Sequence, residues 1–159
     1  MTIEEITSLL NTAFGLDLSV KPDAVPATIQ VPAGQFKELV AFMHEDDRLY
    51  FDMLSSLTAI DNGEEASTID IIYHLYSIPF DRSMALQVTI PRDNPAISTI
   101  SDIWRGANWH EREAYDLVGV TFEGHPDLRR ILLPNDWEGH PLRKDYKLQD
   151  YYHGIKVEY

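Results

Sequence analysis

The stretch TIDIIYHLYSIPFDRSMALQVTI, residues 68 to 90, decides how the chain must fold. Thr68–Ile78 is rich in β-branched and aromatic side chains and reads as a strand. Pro79-Phe80-Asp81-Arg82 is a turn. Met84, Leu86, Val88 and Ile90 then alternate with Ser83, Ala85, Gln87 and Thr89, the period of a half-buried strand. Two strands on one tight turn need further strands and a covering layer.

Both lie upstream. Ile3, Ile6, Leu9, Leu10, Ala13 and Phe14 share a helical face, and Gly15 suits the C-cap. ATIQV (27–31) reads as a short strand. Pro32 can open a helix that carries Phe36, Leu39, Val40 and Met43 and ends near Asp46. Leu49–Ile60 is a less regular strand, and Asn62-Gly63 signals a hairpin with a loop longer than two residues. Downstream, Pro91 to Pro95 is a loop, and Ile97, Ile100, Ile103 and Trp104 suggest a short helix. Helix, strand, helix and then a run of strands predicts an α+β fold: a two-layer sandwich with a mixed sheet and flanking helices. The dinucleotide fingerprint and the phosphate-binding loop are both missing from the sequence.

The 159 residues suit about one domain, and the 44% hydrophobic content suits a globular core. There is no cysteine, so this chain offers no disulfide framework and no thiolate ligands for zinc or an iron–sulfur cluster. Glu4 and Glu5 stand where a secretory signal would be basic, and no apolar run is long enough to cross a bilayer. A soluble, cytosolic chain is expected. The formal charge of −13 disfavours nucleic acid and direct contact with anionic lipid. It is uneven: residues 1–100 hold 5 basic and 15 acidic residues, residues 101–159 hold 8 and 11, and four of the six histidines lie in the second part.

That second part begins NWHEREAYDLVGVTFEGHP (108–126). Asn108 is placed to cap a helix with Glu111 in the capping-box position, Arg112 and Asp116 are spaced to pair, and Gly119 ends the helix. From Val120 to Tyr159 the periodicity stops, and three prolines and three glycines interrupt the chain. Disorder is one reading of such composition. Against it, Phe122, Trp137, Tyr146, Tyr151, Tyr152 and Tyr159 are interleaved with Arg129, Arg130 and Arg143, residue types that anchor interfaces. The expected organisation is an α+β domain over 1–119 and an extended, partner-binding C-terminal arm over 120–159. EGHPDLRR (123–130) and EGHPLRKD (138–145) echo each other: a glycine able to take positive φ, then an extended histidine held before proline, then basic residues. Arg143, after Pro141-Leu142, is expected to present its fork to a carboxylate of the partner.

Catalytic readings are weaker. HEREA begins like a zinc-binding H-E-x-x-H helix, but residue 114 is alanine. A site made of His110, His125 and His140 stays open as the basis of a stand-alone metal-dependent hydrolase. Glu111 and Glu113 are two apart on a helix and face different directions, which disfavours paired acid–base work. No nucleophile motif is present.

The segment WHEREAYDLVGVTFEGHPDLRRILLPNDWEGHPLRKDY (109–146) closely resembles the signature of a family of respiratory proteins, the C subunits of bacterial NADH-quinone oxidoreductase, respiratory complex I. The resemblance is carried by Glu111-Arg112-Glu113, Asp116, Gly119, Phe122, Gly124-His125-Pro126, Leu128, Arg130, Pro134, Trp137, Gly139, Pro141-Leu142-Arg143-Lys144-Asp145 and Tyr146. The first hundred residues resemble it only in pattern and length. The resemblance implies a two-layer α+β domain with an extended tail. It implies no cofactor in this chain, with flavin, iron–sulfur clusters and quinone held by other subunits. It further implies packing on the hydrogenase-like D subunit, which helps build the quinone pocket, and on other peripheral-arm subunits. The implied position is peripheral, on the cytoplasmic side of the bacterial inner membrane, with membrane contact only through the complex. The expected interface comprises Glu111, Arg112, Glu113, Asp116, His125, Arg129, Arg130, Trp137, His140, Arg143, Lys144, Asp145 and Tyr146. The C and D subunits are fused in some species; the end at Tyr159 leads one to expect them separate here. The signature also fits the equivalent subunit of a membrane-bound hydrogenase, a formate hydrogenlyase or a ferredoxin-fed complex.

Overall fold

A computed structural model describes residues 1–21 and 23–157. Tyr159, one of the arm's aromatics, lies outside the described residues. Helix α1 spans Ile3–Phe14; Thr2 and Glu5 close a capping box at its start, and Gly15 ends it at φ 63°. Strand β1 (Thr28–Gln30) and a 3-10 turn (Ala33–Gln35) lead into α2 (Phe36–Glu45), which buries Phe36, Leu39, Val40 and Met43. Strands β2 (Met53–Asp61), β3 (Thr68–Ser77) and β4 (Arg82–Pro91) follow as an antiparallel meander. The sheet order is β1-β4-β3-β2, with β1 parallel to β4, so the sheet is mixed. Among the described residues this is the α+β architecture expected from the sequence.

Alternation fixes which face carries the core. On β3, Ile69, Ile71, Tyr73, Leu75 and Ser77 are buried, while their neighbours in sequence are half-buried. Register aligns Leu57, Tyr73 and Leu86, and Ala59, Ile71 and Val88, on that same face. Strand β4 departs from the half-buried pattern: Ala85 and Gln87 are buried as well. It is an interior strand, paired on both sides, and the Lys21 ammonium donates to the side-chain oxygen of Gln87.

Ile97 to Trp104 is not a short helix. Ala96–Ser98 forms β5, which pairs in parallel with β6 (Thr121–Glu123), and a turn at Ile100–Trp104 follows. The 97/100/103/104 spacing imitates a helical face, an ambiguity inherent in short apolar runs. Between β5 and β6 lies α3 (Ala107–Val118). Its N-cap is Gly106, and no side chain caps it, so Asn108 is inside the helix and the expected capping box does not form. Ala107, Glu111, Ala114 and Val118 face inward at helical spacing. Val120 and Phe122 are fully buried, so the core extends past Gly119 into β6. From Gly124 the chain runs without regular structure to a small hairpin, β7 (Tyr151–Tyr152) and β8 (Ile155–Lys156).

Candidate functional site

The charged residues of α3 and the chain after β6 meet along one surface. A helix leaves its last four carbonyls without intrahelical partners. Here Gly119, at φ 82°, turns its amide back to Ala114 and Tyr115. The following segment supplies the remaining donors. The Asp116 carbonyl accepts from His140 Nδ1 at 3.0 Å and Arg130 Nη1 at 3.1 Å. The Leu117 carbonyl accepts from the Leu142 amide at 2.9 Å, and that of Val118 from Arg143 Nε at 2.6 Å. A side chain at residue 119 would collide with the His140 ring, whose Cδ2 would stand 2.7 Å from an added Cβ.

The Asp116 side chain is the strongest anchor. It is fully buried and does not pair with Arg112. Its Oδ1 accepts from Arg130 Nη1 at 2.7 Å, and its Oδ2 accepts from the consecutive amides of Ile131, Leu132 and Leu133 at 3.0, 2.8 and 2.9 Å. Three successive amides around one oxygen form an anion nest. Burial alone would raise this carboxyl, but the amides and the guanidinium outweigh it and hold the group below its ordinary range. Arg130 also donates to the carbonyls of Trp137 and Gly139, and Arg112 holds those of Arg129 and Arg130.

A second anchor joins the segment to the sheet. Arg92, after β4, pairs with Asp61 at 2.7 Å and with Asp145 at 2.6 Å. Asp61 is buried and also accepts the Gly63 and Lys144 amides. Arg92 holds its carboxyl far below the usual range, against the opposing effect of burial. Arg143, expected to meet a partner's carboxylate, instead places its fork on two carbonyls of its own chain, Val118 and Arg92. The Lys144 side chain reaches the Asn62 carbonyl at 3.4 Å.

The two Glu-Gly-His-Pro units use the same device at two points of α3. Gly124 and Gly139 sit at φ 80° and 77°. His125 Nε2 donates to the Asn108 carbonyl at 3.1 Å, while its Nδ1 accepts the Asp127 amide. His140 binds the Asp116 carbonyl, about 12 Å further along the helix at 1.5 Å per residue. Beneath the first clamp lies Glu111, entirely buried. Its carboxylate accepts from the Thr99 hydroxyl and, at 2.8 Å, the Ile100 amide, and stands 3.8 Å from His125 Nε2. Burial pushes this carboxyl up to about 7, against the Ile100 amide and the Thr99 hydroxyl.

The remaining sequence candidates are spread out. Arg129 pairs with Asp127 in solvent. Trp137 Nε1 donates to the Tyr146 hydroxyl at 3.1 Å and its ring packs on Tyr152, so the tail closes a small aromatic cluster of its own. Glu113 lies on the outer face of α3. The separation of His125 from His140 is incompatible with one metal site, and among the described residues no three histidine or acidic side chains converge as a metal requires. No helix among them is long and apolar enough to cross a membrane. Sequence reasoning missed Asp61, Arg92 and Thr99; the only signal was Asp61 beside Asn62-Gly63, which reads as a turn residue.

The model of a family described as respiratory-chain NADH dehydrogenase, 30 Kd subunit, matches residues 29–152. The C subunit of NADH-quinone oxidoreductase from Chlorobium phaeobacteroides is 46% identical over 126 residues, covering 79% of this chain and 75% of that protein. Its counterpart from Chloroherpeton thalassium is 45% identical over 125 residues, and there the match spans 51% of the relative's length. A combined C/D subunit from Acinetobacter baylyi is 41% identical over 149 residues, covering 89% of this chain and 25% of that protein. Among solved structures, a trypsin-resistant fragment of Nqo5 superposes with a TM-score of 0.66 at 27% identity, covering 80% of this chain and all of the fragment. A component of a membrane-bound sulfane sulfur reductase, an archaeal respiratory membrane complex, gives 0.76 at 25% identity, covering 91% and 85%. On the breadth of the family match and the identity to these relatives, the chain belongs to the 30 kDa subunit family of the respiratory-chain NADH dehydrogenases.

Proposed function

We propose that this chain is a non-catalytic assembly subunit in the peripheral arm of a proton-translocating NADH:quinone oxidoreductase. In that complex electrons pass from NADH through flavin and iron–sulfur clusters to quinone, and all of these groups sit in other subunits. The chain packs on the hydrogenase-like subunit, on the cytoplasmic side of the membrane. One observation carries the reading. Glu111, His125 and His140, which look catalytic in sequence, are occupied within the chain, and Arg130, Arg143 and Lys144 fasten residues 124–146 to α3 and the sheet, while the same stretch turns Leu132 and Leu142 outward to solvent. A segment fixed inside that leaves two leucines exposed suits a docking surface. The combined C/D relative supports the hydrogenase-like subunit as the neighbour.

The sulfane sulfur reductase likeness favours a second reading, the equivalent subunit of a related membrane complex with another electron donor. One experiment separates the two: purify the tagged chain from its native membranes, identify the bound subunits, and assay the assembly with NADH and a quinone. Flavin- and NADH-binding subunits with quinone reduction support the first reading; an assembly without them that accepts reduced ferredoxin supports the second. The chain alone is expected to oxidise no NADH. Turnover by the pure chain overturns both.

A further inference from the structure

We infer that the outer stripe of α3 seats a basic side chain flanked by apolar ones, supplied by the hydrogenase-like subunit; this deepens the assembly reading and rests on it. Trp109, Glu113 and Leu117 recur every four residues along one side of the helix; the first two are exposed, and Leu117 is half-buried against the core. Trp109 is 69% exposed, although tryptophan is a costly residue to leave in water. Leu132 on one side and Leu142 on the other are 62% and 58% exposed. Each belongs to a shallow apolar cleft beside the helix. The first is walled by Trp109, Ile131 and Leu132 with His110 beside them, the second by Leu57, Leu117 and Leu142. Glu113 lines both clefts.

Glu113 differs from the other charges on this helix. Glu111, Arg112 and Asp116 are all hydrogen-bonded within the chain. Among the described residues the Glu113 carboxylate has no hydrogen bond or ion pair. A lone carboxylate between two apolar clefts, with an exposed tryptophan at one end, has the make-up of an interface centre rather than of a solvated face. Charge complementarity then specifies the occupant. A lysine or arginine would meet Glu113, with one apolar neighbour against Trp109 and Leu132 and another against Leu142 and Leu117. An acidic or purely apolar segment would leave the carboxylate desolvated and unpaired. The occupant is assigned to the hydrogenase-like subunit because the combined C/D relative carries both in one polypeptide.

The test uses the assembled complex from native membranes. A photoreactive phenylalanine analogue replaces Trp109 in one strain and the comparably exposed Ile78, on the β3–β4 turn, in another. After illumination, residue 109 should cross-link to a peptide of the hydrogenase-like subunit within a few residues of a lysine or arginine, and residue 78 should not. Separately, Glu113→Arg should lower the fraction of the chain bound to that subunit by about tenfold or more. The melting temperature of the isolated variant should be unchanged, since the Glu113 carboxylate holds no internal partner. Cross-links from residue 109 only to this chain or to a different subunit overturn the inference, as does an undiminished bound fraction for Glu113→Arg; the assembly reading survives both. Wild-type chain recovered without the hydrogenase-like subunit overturns the assembly reading and this inference with it.

Discussion

The sheet with its helices and the segment from Gly124 to Tyr146 are held by different physics. The former is an apolar interior. Ile29, Phe36, Leu39, Ile69, Ile71 and Leu86 are all fully buried, and their stability is spread over many side chains of similar worth. The latter buries almost nothing apolar. It is fixed by a few directional contacts, most of them to backbone carbonyls or from backbone amides. A distributed interior should tolerate single changes gradually, whereas a strap on a few anchors should come loose in steps.

The largest step is expected at Asp116. Asp116→Ala removes the acceptor of three amides and of Arg130, all drawn in from solvent. Breaking a buried pair of this kind typically costs about 3–5 kcal/mol. Amide exchange should accelerate first at residues 130–133 and 137–143, with β3 still protected. Simultaneous loss of protection in β3 and the segment would mean that the two regions are one cooperative unit, and the contrast between them would fail. Next comes Arg143→Ala, which strips charge-assisted bonds from two carbonyls; for a half-buried side chain the two together are worth roughly 1.5–3 kcal/mol. From sequence alone Arg143 is expected to matter to a partner and hardly to the isolated chain. Its contacts to Val118 and Arg92 reverse that: a urea midpoint for the isolated variant equal to that of wild type would refute the internal role. Gly119→Ala should cost about 1–3 kcal/mol for positive φ alone, with further loss from displacing His140. Chemical denaturation of Gly119→Ala with and without His140→Ala separates the two causes, since removing the ring should relieve part of the penalty.

The same contrast explains what can be read from the sequence. The meander is legible because Ile69, Ile71, Tyr73 and Leu75 write a period of two into the chain, and α2 because Phe36, Leu39, Val40 and Met43 write one of 3.6. The strap leaves no such record. A carbonyl that accepts from His140 or Arg143 belongs to Asp116 or Val118 whatever its side chain, so the docking site carries no residue signature. Asp61 and Arg92 are 31 residues apart and meet only after the sheet has formed. Glu111 misleads for a different reason. Asn108 three residues earlier offers a local explanation as a capping box, while the competing one, an inward face of Ala107, Glu111, Ala114 and Val118, requires accepting a carboxyl in the core.

That buried carboxyl gives the smallest prediction, a slope rather than a step. Its value in the folded chain is raised to about 7 from an ordinary 4.5, because burial penalises the charged form. With the folded value above the unfolded one, the contribution is fully present below pH 4.5 and lost as pH rises to about 7, beyond which it is flat. The loss cannot exceed about 1.4 kcal/mol per pH unit. Asp61 works in the opposite sense and in another window: its depressed value gives stability that is lost only as pH falls below 3.8. The informative quantity is a difference between two proteins, which isolates the Glu111 contribution from every other group. Glu111→Gln keeps an acceptor for the Ile100 amide and a polar partner for Thr99, yet cannot ionise. Urea midpoints at several values between pH 5 and 8 should fall more steeply for wild type than for the variant, with the variant gaining most at the alkaline end. Parallel curves would mean that Glu111 is already ionised at pH 5 and that its hydrogen bonds, not burial, govern it.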